Sequence, residues 1–597
     1  MIARIIATFA LCAALAPFSA SAQPESGKVL RVAFPIAETG FDPQAGGDAY
    51  SNYVSRAIFD PLYKYEYLTR PYKLVTNTAA ALPEISPDGK TWTIRVRPGI
   101  YFADDPAFKG QRRELIAQDY IFGIKRLLDP KMRSNFLQIV EGRFVGADAV
   151  VAKASESGRF DYDAPIEGLQ AIDRYTLRFK LNFPDYELLA NLTTVPTAPV
   201  AREVVQAYGD ASGWVMANPV GTGPYRLKDW RRAQRIVLEA SPSFRDERYP
   251  QSAAAEPAST KSLAGRKLPL VNRIEISIIE ESNPRLLAFM QKQLDFLAVP
   301  NELISNVTTT DGKLKPELAQ QGVTLQRDVQ PAINYMYFNM EDPVVGGYTP
   351  DKIALRRAIA MGYDSDEEIR VIRQGQGLPM TQIVPPNMSG HDPTFNLRTR
   401  LDIRGAKALL DKFGYKDRDG DGFRELPDGR SLTIKMASPP AAIDRQIDEL
   451  WQRSMNAIGI RIEFVKQKWP DLLKMARLGQ LQAWRLGNIN TTPEGFGFHG
   501  LLYSRNAGFS NVARFSLPEY DRLYEKARAM PDSPERTKLL RKMSEVVAAY
   551  TPWVFLAFRI ENVIVQPWVI GYKYNPTYQF PFPYLDVDNS RRVLAAK

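Results

Sequence analysis

The 597-residue sequence contains one cysteine, Cys12, and two histidines, His391 and His499. A single thiol excludes an internal disulfide framework. Two imidazoles far apart in the chain give little material for a zinc site or a histidine-based triad. The common hydrolase signatures are missing as well: there is no G-x-S-x-G elbow, no H-E-x-x-H and no Walker A loop. Gly495-Phe496-Gly497-Phe498-His499-Gly500 matches G-x-G-x-x-G in letters. No strand-like run leads into it and no acidic residue follows at the right distance, so it reads as a chance match. Beyond the N-terminus no segment is apolar enough to span a bilayer. Lys+Arg 77 against Asp+Glu 67 gives +10, but the densest basic spots are isolated pairs such as Arg231-Arg232 and Arg356-Arg357. Nucleic-acid binding needs a focused basic stripe, so no nucleic-acid partner is expected.

What is present begins with Arg4, an apolar run over Ile5 to Ala16, Pro17, and the small-x-small triplet Ala20-Ser21-Ala22. This is the layout of a secretory signal peptide, and cleavage after Ala22 is expected. Leu11 before Cys12 argues against a lipobox. The mature protein then has no thiol and is expected in the periplasm.

A hydrophobic share of 45% with 24% charged residues marks a globular protein, and the length exceeds what one core serves. Strand and helix periods interleave. Trp92, Ile94 and Val96 alternate with polar residues, as do Tyr175 to Leu181, Ile274 to Ile278 and Ile460 to Phe464. Asp402, followed by Ala406, Leu409, Leu410 and Phe413 and stopped by Gly414, marks a helix; Ile443 to Ile458 before Gly459 marks another. Ser516-Leu517-Pro518-Glu519 reads as a capping box, and Ser533-Pro534 opens a further helix. Residues 249–270 read as an inserted surface loop. The fold class is α/β with several cores.

Asp417-Arg418-Asp419-Gly420-Asp421-Gly422 places carboxylates at alternating positions around a glycine, which suits a hard cation. Asp417, Asp419 and Asp421 are therefore candidate ligands for a structural calcium ion. The competing reading is a plain Asp-Gly turn, because position twelve is Asp428 rather than Glu and a strand follows. No other cofactor is expected.

Several phrases, taken in order, resemble the family 5 extracellular solute-binding proteins of ABC importers, the oligopeptide- and dipeptide-binding group. The most specific is Pro219-Val220-Gly221-Thr222-Gly223-Pro224-Tyr225-Arg226-Leu227 followed by Trp230. Asp88-Gly89-Lys90-Thr91-Trp92-Thr93-Ile94 through Gly99, Phe338-Asn339 with Leu355 to Ile359, Gly414-Tyr415, and Pro567-Trp568-Val569 with Gly571-Tyr572 support it. The glycines of the first phrase suit tight turns that leave N–H groups free to face a cleft. The resemblance implies a two-lobed periplasmic-binding-protein fold with ligand between the lobes. Lobe I would comprise 23–66, 200–300 and 558–597, an extra domain 67–199, and lobe II 301–557. It also implies a monomer that delivers its solute to permease subunits in the inner membrane.

In peptide binders of this family an aspartate in G-W-x-x-D-x-x-x-P holds the ligand's ammonium. The matching stretch here, Arg485-Leu486-Gly487-Asn488-Ile489-Asn490-Thr491-Thr492-Pro493, is shorter and contains no aspartate. Loss of that charge-assisted hydrogen bond removes about 1.5–3 kcal/mol. Either Glu494 or Asp48 substitutes, or the ligand has no free amino terminus there. Arg485, Gly487, Asn488, Asn490, Thr491 and His499 are the candidate contacts from this side; Asn490 to Thr492 equally suit capping a following helix. Asp48 and Ala49 match the strand of lobe I that lies along the ligand, Trp469 matches a pocket tryptophan, and Phe136 is a further candidate. The expected function is capture of a peptide or peptide-like solute for an ABC importer, without enzymatic turnover. The alternatives are a non-peptide ligand (opine, oligosaccharide or glycoside), a secreted carboxylate-dependent hydrolase, and a periplasmic chaperone. Nickel or haem uptake is disfavoured by the two histidines.

Overall fold

The structure, a computed structural model, describes residues 27–70, 72–251 and 256–596. The expected leader, including Cys12 and the cleavage point after Ala22, lies outside the described residues.

One four-stranded sheet holds Val29–Phe34 parallel to Arg273–Ile278, with Arg235–Ala240 and Tyr225–Arg231 added antiparallel. Leu30, Val32 and Phe34 are fully buried, and Ala33 on the opposite face is nearly so, because both faces of this sheet are covered. One face packs with Val54 and Ile58 of the helix Ala49–Ile58 and with Trp568, Phe582, Leu585 and Val587 from the far end of the chain. Lys28 and Asp586 close that assembly with a 2.8 Å ion pair.

A second sheet has the order Phe296–Ala298, Trp553–Val565, Thr324–Phe338, Ala483–Ile489, Thr433–Ser438, Arg461–Lys466. Its two long strands, of 15 and 13 residues, are antiparallel from Thr324↔Val565 to Tyr337↔Trp553. Each serves several cores in turn. Trp553 and Phe558 pack in one core of the second lobe and Val554 and Leu556 in another, whereas Val563 and Val565 belong to the first lobe's core. The ladder between the two strands breaks between Val329 and Ile333. Pro331 falls in that gap, where its missing N–H removes no ladder bond. The molecule thus has two lobes joined by crossing strands.

Thr91–Arg95, Thr176–Lys180 and their neighbours form a third sheet, backed by the helix Ala117–Leu128. This unit also touches the second lobe: the Tyr186 N–H donates to the Arg528 carbonyl at 3.1 Å, and the Arg528 guanidinium lies 4.1 Å from the Phe183 ring centre.

Local signals act largely as expected. Asp402 caps Ile403–Lys412 through the Gly405 N–H, and Ser533 caps Pro534–Tyr550 through the Arg536 N–H. Three expectations change. Pro518 occupies the first helical position of Pro518–Arg528, so the cap falls on Leu517 and not Ser516. Residues 249–270 are not merely a surface loop, since Tyr249, Leu263, Leu268 and Leu270 bury themselves against Tyr67 and Tyr584. Gly221 and Gly223 do not present free N–H groups to a cleft: the Gly223 N–H donates to the Ile58 carbonyl at 2.8 Å, and a Cβ at Gly221 would collide with the same oxygen. They are glycines because two backbones meet there.

Candidate functional site

The crossing strands define the floor of a cleft. Arg559 and Glu561 are two residues apart on Trp553–Val565, so both point to one face. That face looks into a cavity of about 310 Å³ between the end of Val29–Phe34, the helix Ala49–Ile58, the Phe296–Asn301 segment and the C-terminal residues Tyr572, Tyr574, Gln579 and Phe580. Its first-lobe wall is aromatic: Tyr50 and Phe580 line it, each 4.9 Å from the buried ring of Phe34 behind them, and Phe296 lies 5.0 Å from Tyr572. Gln330, in the break of the ladder, donates from its side-chain amide to Glu561. Tyr53 donates to Gln579 on the same side.

Electrostatically the pair is exposed to its own field. Burial pushes the Glu561 carboxyl up to about 7, with Arg559 the opposing influence. Burial likewise lowers Arg559, and the nearby guanidiniums of Arg373 and Arg485 lower it further. Those two arginines are neutralised, Arg373 by Glu368 at 2.7 Å and Arg485 by Asp444 at 2.6 Å. The Arg559 guanidinium makes no hydrogen bond or ion pair among the described residues, although Glu561 is its neighbour on the strand. A Cβ on Gly487 would strike the Arg559 guanidinium and the Asn334 amide oxygen, so the glycine leaves room for Arg559 to lie across the neighbouring strand.

The residues expected from sequence distribute unevenly around this cavity. Asp48 is the cap of Ala49–Ile58. Burial works to raise its carboxyl, but hydrogen bonds from Ser51 and Thr39 outweigh it and hold the group below the usual range. Its two oxygens accept from the Ser51 N–H at 2.7 Å and the Thr39 hydroxyl at 2.6 Å, leaving little capacity for a ligand. Ala49 is exposed on the first turn, next to Tyr50 of the cavity wall. Phe136 packs against the core of the third sheet's unit. Trp469 starts the helix Trp469–Arg477, is 50% exposed and tilts over Trp484 at 6.2 Å. Arg485 has its guanidinium turned to Asp444.

Gly487 and Asn488 lie on Ala483–Ile489 beside Arg559; Asn488 donates to the Tyr335 hydroxyl at 2.7 Å. Asn490 donates to the Glu494 carbonyl at 2.9 Å, and Thr491 is exposed. None of Asn490, Thr491 and Thr492 caps the next helix, because Glu494 does so through the Phe496 N–H. Ala483–Ile489 is in fact a strand leading toward Gly495, but the intervening loop separates it from the glycine run.

Glu494 is therefore a cap, and it also faces Arg536 at 3.3 Å; its carboxyl is raised by burial, with Arg536 opposing. His499 is a packed ring with no exposure, 3.3 Å from the Tyr520 hydroxyl, and burial drives it down to about 3, helped by Arg536. His391 contacts the Val384 carbonyl at 2.9 Å. Neither histidine lines the cavity. Asp417, Asp419 and Asp421 are exposed and can bring oxygens within 4.8 Å of one another. Each carboxylate also accepts a local N–H, and Asp421 pairs with Arg461, which a turn would require with or without an ion.

The cavity residues that sequence reasoning missed are Glu561, Arg559, Gln330 and the aromatic wall. One signal was available: Arg559-Ile560-Glu561 interrupts Trp553-Val554-Phe555-Leu556-Ala557-Phe558 and Val563-Ile564-Val565, an otherwise apolar run.

Two lobes, crossing strands and a polar cavity at the crossing define a two-lobed ligand-binding protein. The chain belongs to the bacterial extracellular solute-binding proteins, family 5, whose model matches residues 73–510. It is 25% identical over 590 residues to di/tripeptide-binding protein 2 of Pseudomonas aeruginosa, covering 96% of this chain and 98% of that one. It is also 25% identical to heme-binding protein A of Haemophilus influenzae, covering 90% and 89%. Among solved structures it matches the periplasmic binding protein DppA of Helicobacter pylori in complex with the peptide STSA, with a TM-score of 0.69 at 21% identity, covering 94% and 98%. Among the described residues no helix is long and apolar enough to cross a membrane.

Proposed function

We propose that this protein captures a peptide or peptide-like solute in the periplasm and delivers it, as a monomer and without turnover, to the permease of an ABC importer. The observation that carries the reading is the cavity at the lobe crossing, whose floor holds a carboxylate and a guanidinium engaged with each other by no direct contact. Family membership and the di/tripeptide-binding relative support the ligand class. Haem is disfavoured, because His391 and His499 are both turned away from the cavity. Native mass spectrometry and calorimetry against di-, tri- and oligopeptides test the proposal. Saturable binding of one peptide class is expected; no binding by any of them overturns it.

A second reading has its own observation. The stretch Arg485–Pro493 lacks an aspartate, and Glu494 and Asp48 are both occupied as caps. A ligand without a free amino terminus, such as an opine or a glycoside, fits that arrangement. Its discriminating result is tight binding of such a compound with no competition from peptides.

A further inference from the structure

The family's aspartate is absent from the loop after Ala483–Ile489, and the two substitutes suggested by the sequence, Glu494 and Asp48, are consumed by helix caps. Among the described residues, the cavity-facing carboxylate is Glu561, whose hydrogen-bond partner is the neutral Gln330 amide. Beside it the Arg559 guanidinium forms no hydrogen bond or ion pair among the described residues, its charge being met only at longer range by Glu561, and Gly487 keeps the space that lets the guanidinium lie there. We propose that Glu561 and Arg559, both on the crossing strand, are the ligand's two charge anchors, and that the solute is a short zwitterion of about dipeptide length. This rests on the peptide-like reading above and assigns its site.

The length follows from the size of the cavity, whose floor offers one charge of each sign to the two ends of a zwitterion. Each charge replaces lost water with a charge-assisted hydrogen bond, Arg559 in the forked geometry that suits a carboxylate. The aromatic residues Tyr50 and Phe580 leave an apolar wall for a side chain. A cavity of about 310 Å³ is at the small end of ligand sites, which disfavours a long peptide in this pocket.

The test uses the full chain and three forms of each probe, Ala-Ala and Met-Leu: unmodified, N-acetylated and C-amidated. Calorimetry measures affinity for wild type, Glu561→Gln and Arg559→Met. In wild type, each modification is expected to weaken binding by about tenfold or more. Acetylation should lose its effect in Glu561→Gln, and amidation in Arg559→Met. If the free dipeptides bind wild type but the blocked forms bind within about twofold of them, the anchors lie elsewhere and this assignment fails while the peptide reading stands. If longer peptides bind and both dipeptides do not, the length assignment fails alone. If no peptide of any length binds, the peptide reading fails and takes this inference with it. The comparison of blocked and free ligands on wild type needs no variant to fold.

Discussion

Glu561 has to meet two opposed demands. An anchor for an amine must be charged, yet the dry site that makes its hydrogen bond strong pushes its carboxyl from 4.5 to about 7. Around it stand the guanidiniums of Arg559 and Arg285 and the hydroxyls of Tyr50, Tyr53, Tyr572 and Tyr574, and of these Arg559 alone holds its pKa down. Because the folded-state value is raised, the group's contribution to stability is complete below pH 4.5 and is lost as pH rises through about 7. Glu561→Gln is therefore expected to raise the melting temperature of the unliganded protein at pH 8, equivalent to about 1–3 kcal/mol, with little change near pH 4.5. Scanning calorimetry at both pH values checks this; an equal shift at both would contradict it. Ligand binding runs the other way. Wild-type affinity for a free dipeptide should fall by up to about tenfold per pH unit below 7, whereas the Gln variant gives a flat, weak profile.

Among the elements, the Gly221–Gly223 turn shows how a family phrase can be structural. It docks on the carbonyl end of Ala49–Ile58, the helix whose first turn carries Tyr50 into the cavity wall. Gly221→Ala forces two backbones apart and is expected to lower stability by about 1–3 kcal/mol in urea unfolding; an unchanged midpoint would show that the turn yields freely. Much of the secondary structure was legible. Helices such as Ile403–Lys412 carry their own start and stop chemistry, and half-buried strands such as Thr91–Arg95 alternate. The two crossing strands were not, because they are apolar on both faces over much of their length and alternation disappears. Which way Arg559 and Glu561 face depends on pairing with Thr324–Phe338, a partner remote in sequence. The stretch that matches the family's aspartate loop does touch the site through Gly487, but a charge supplied by a strand remote in sequence leaves no trace in a positional comparison.

At the scale of the whole molecule, affinity depends on closure as well as on anchors. Arg528 sits far along the second lobe, yet its guanidinium covers Phe183 and its carbonyl receives the Tyr186 N–H. Arg528→Ala keeps the main-chain bond and removes the ring contact. Such a contact is worth about 1 kcal/mol, so roughly fivefold weaker binding is expected, appearing in the dissociation rate. Stopped-flow release of a bound peptide measures it, and an unchanged rate would mean the contact plays no part in holding the lobes together. The pairing of Lys28 with Asp586 has a different consequence, one for the order of assembly. The first lobe's core joins Leu30 and Val32 to Ile274 and then to Leu585 and Val587, so nearly the whole chain must be present before it can close. The second lobe's sheet between Thr433 and Ile489 draws on much nearer neighbours. Loop closure makes the distant contacts slow. Refolding should therefore be sequential, with amides of Ile434 and Met436 protected from pulse-labelled exchange before those of Leu30 and Ile276. A chain still emerging from the export channel would carry a finished second lobe beside an open first one, unable to bind until its last residues arrive.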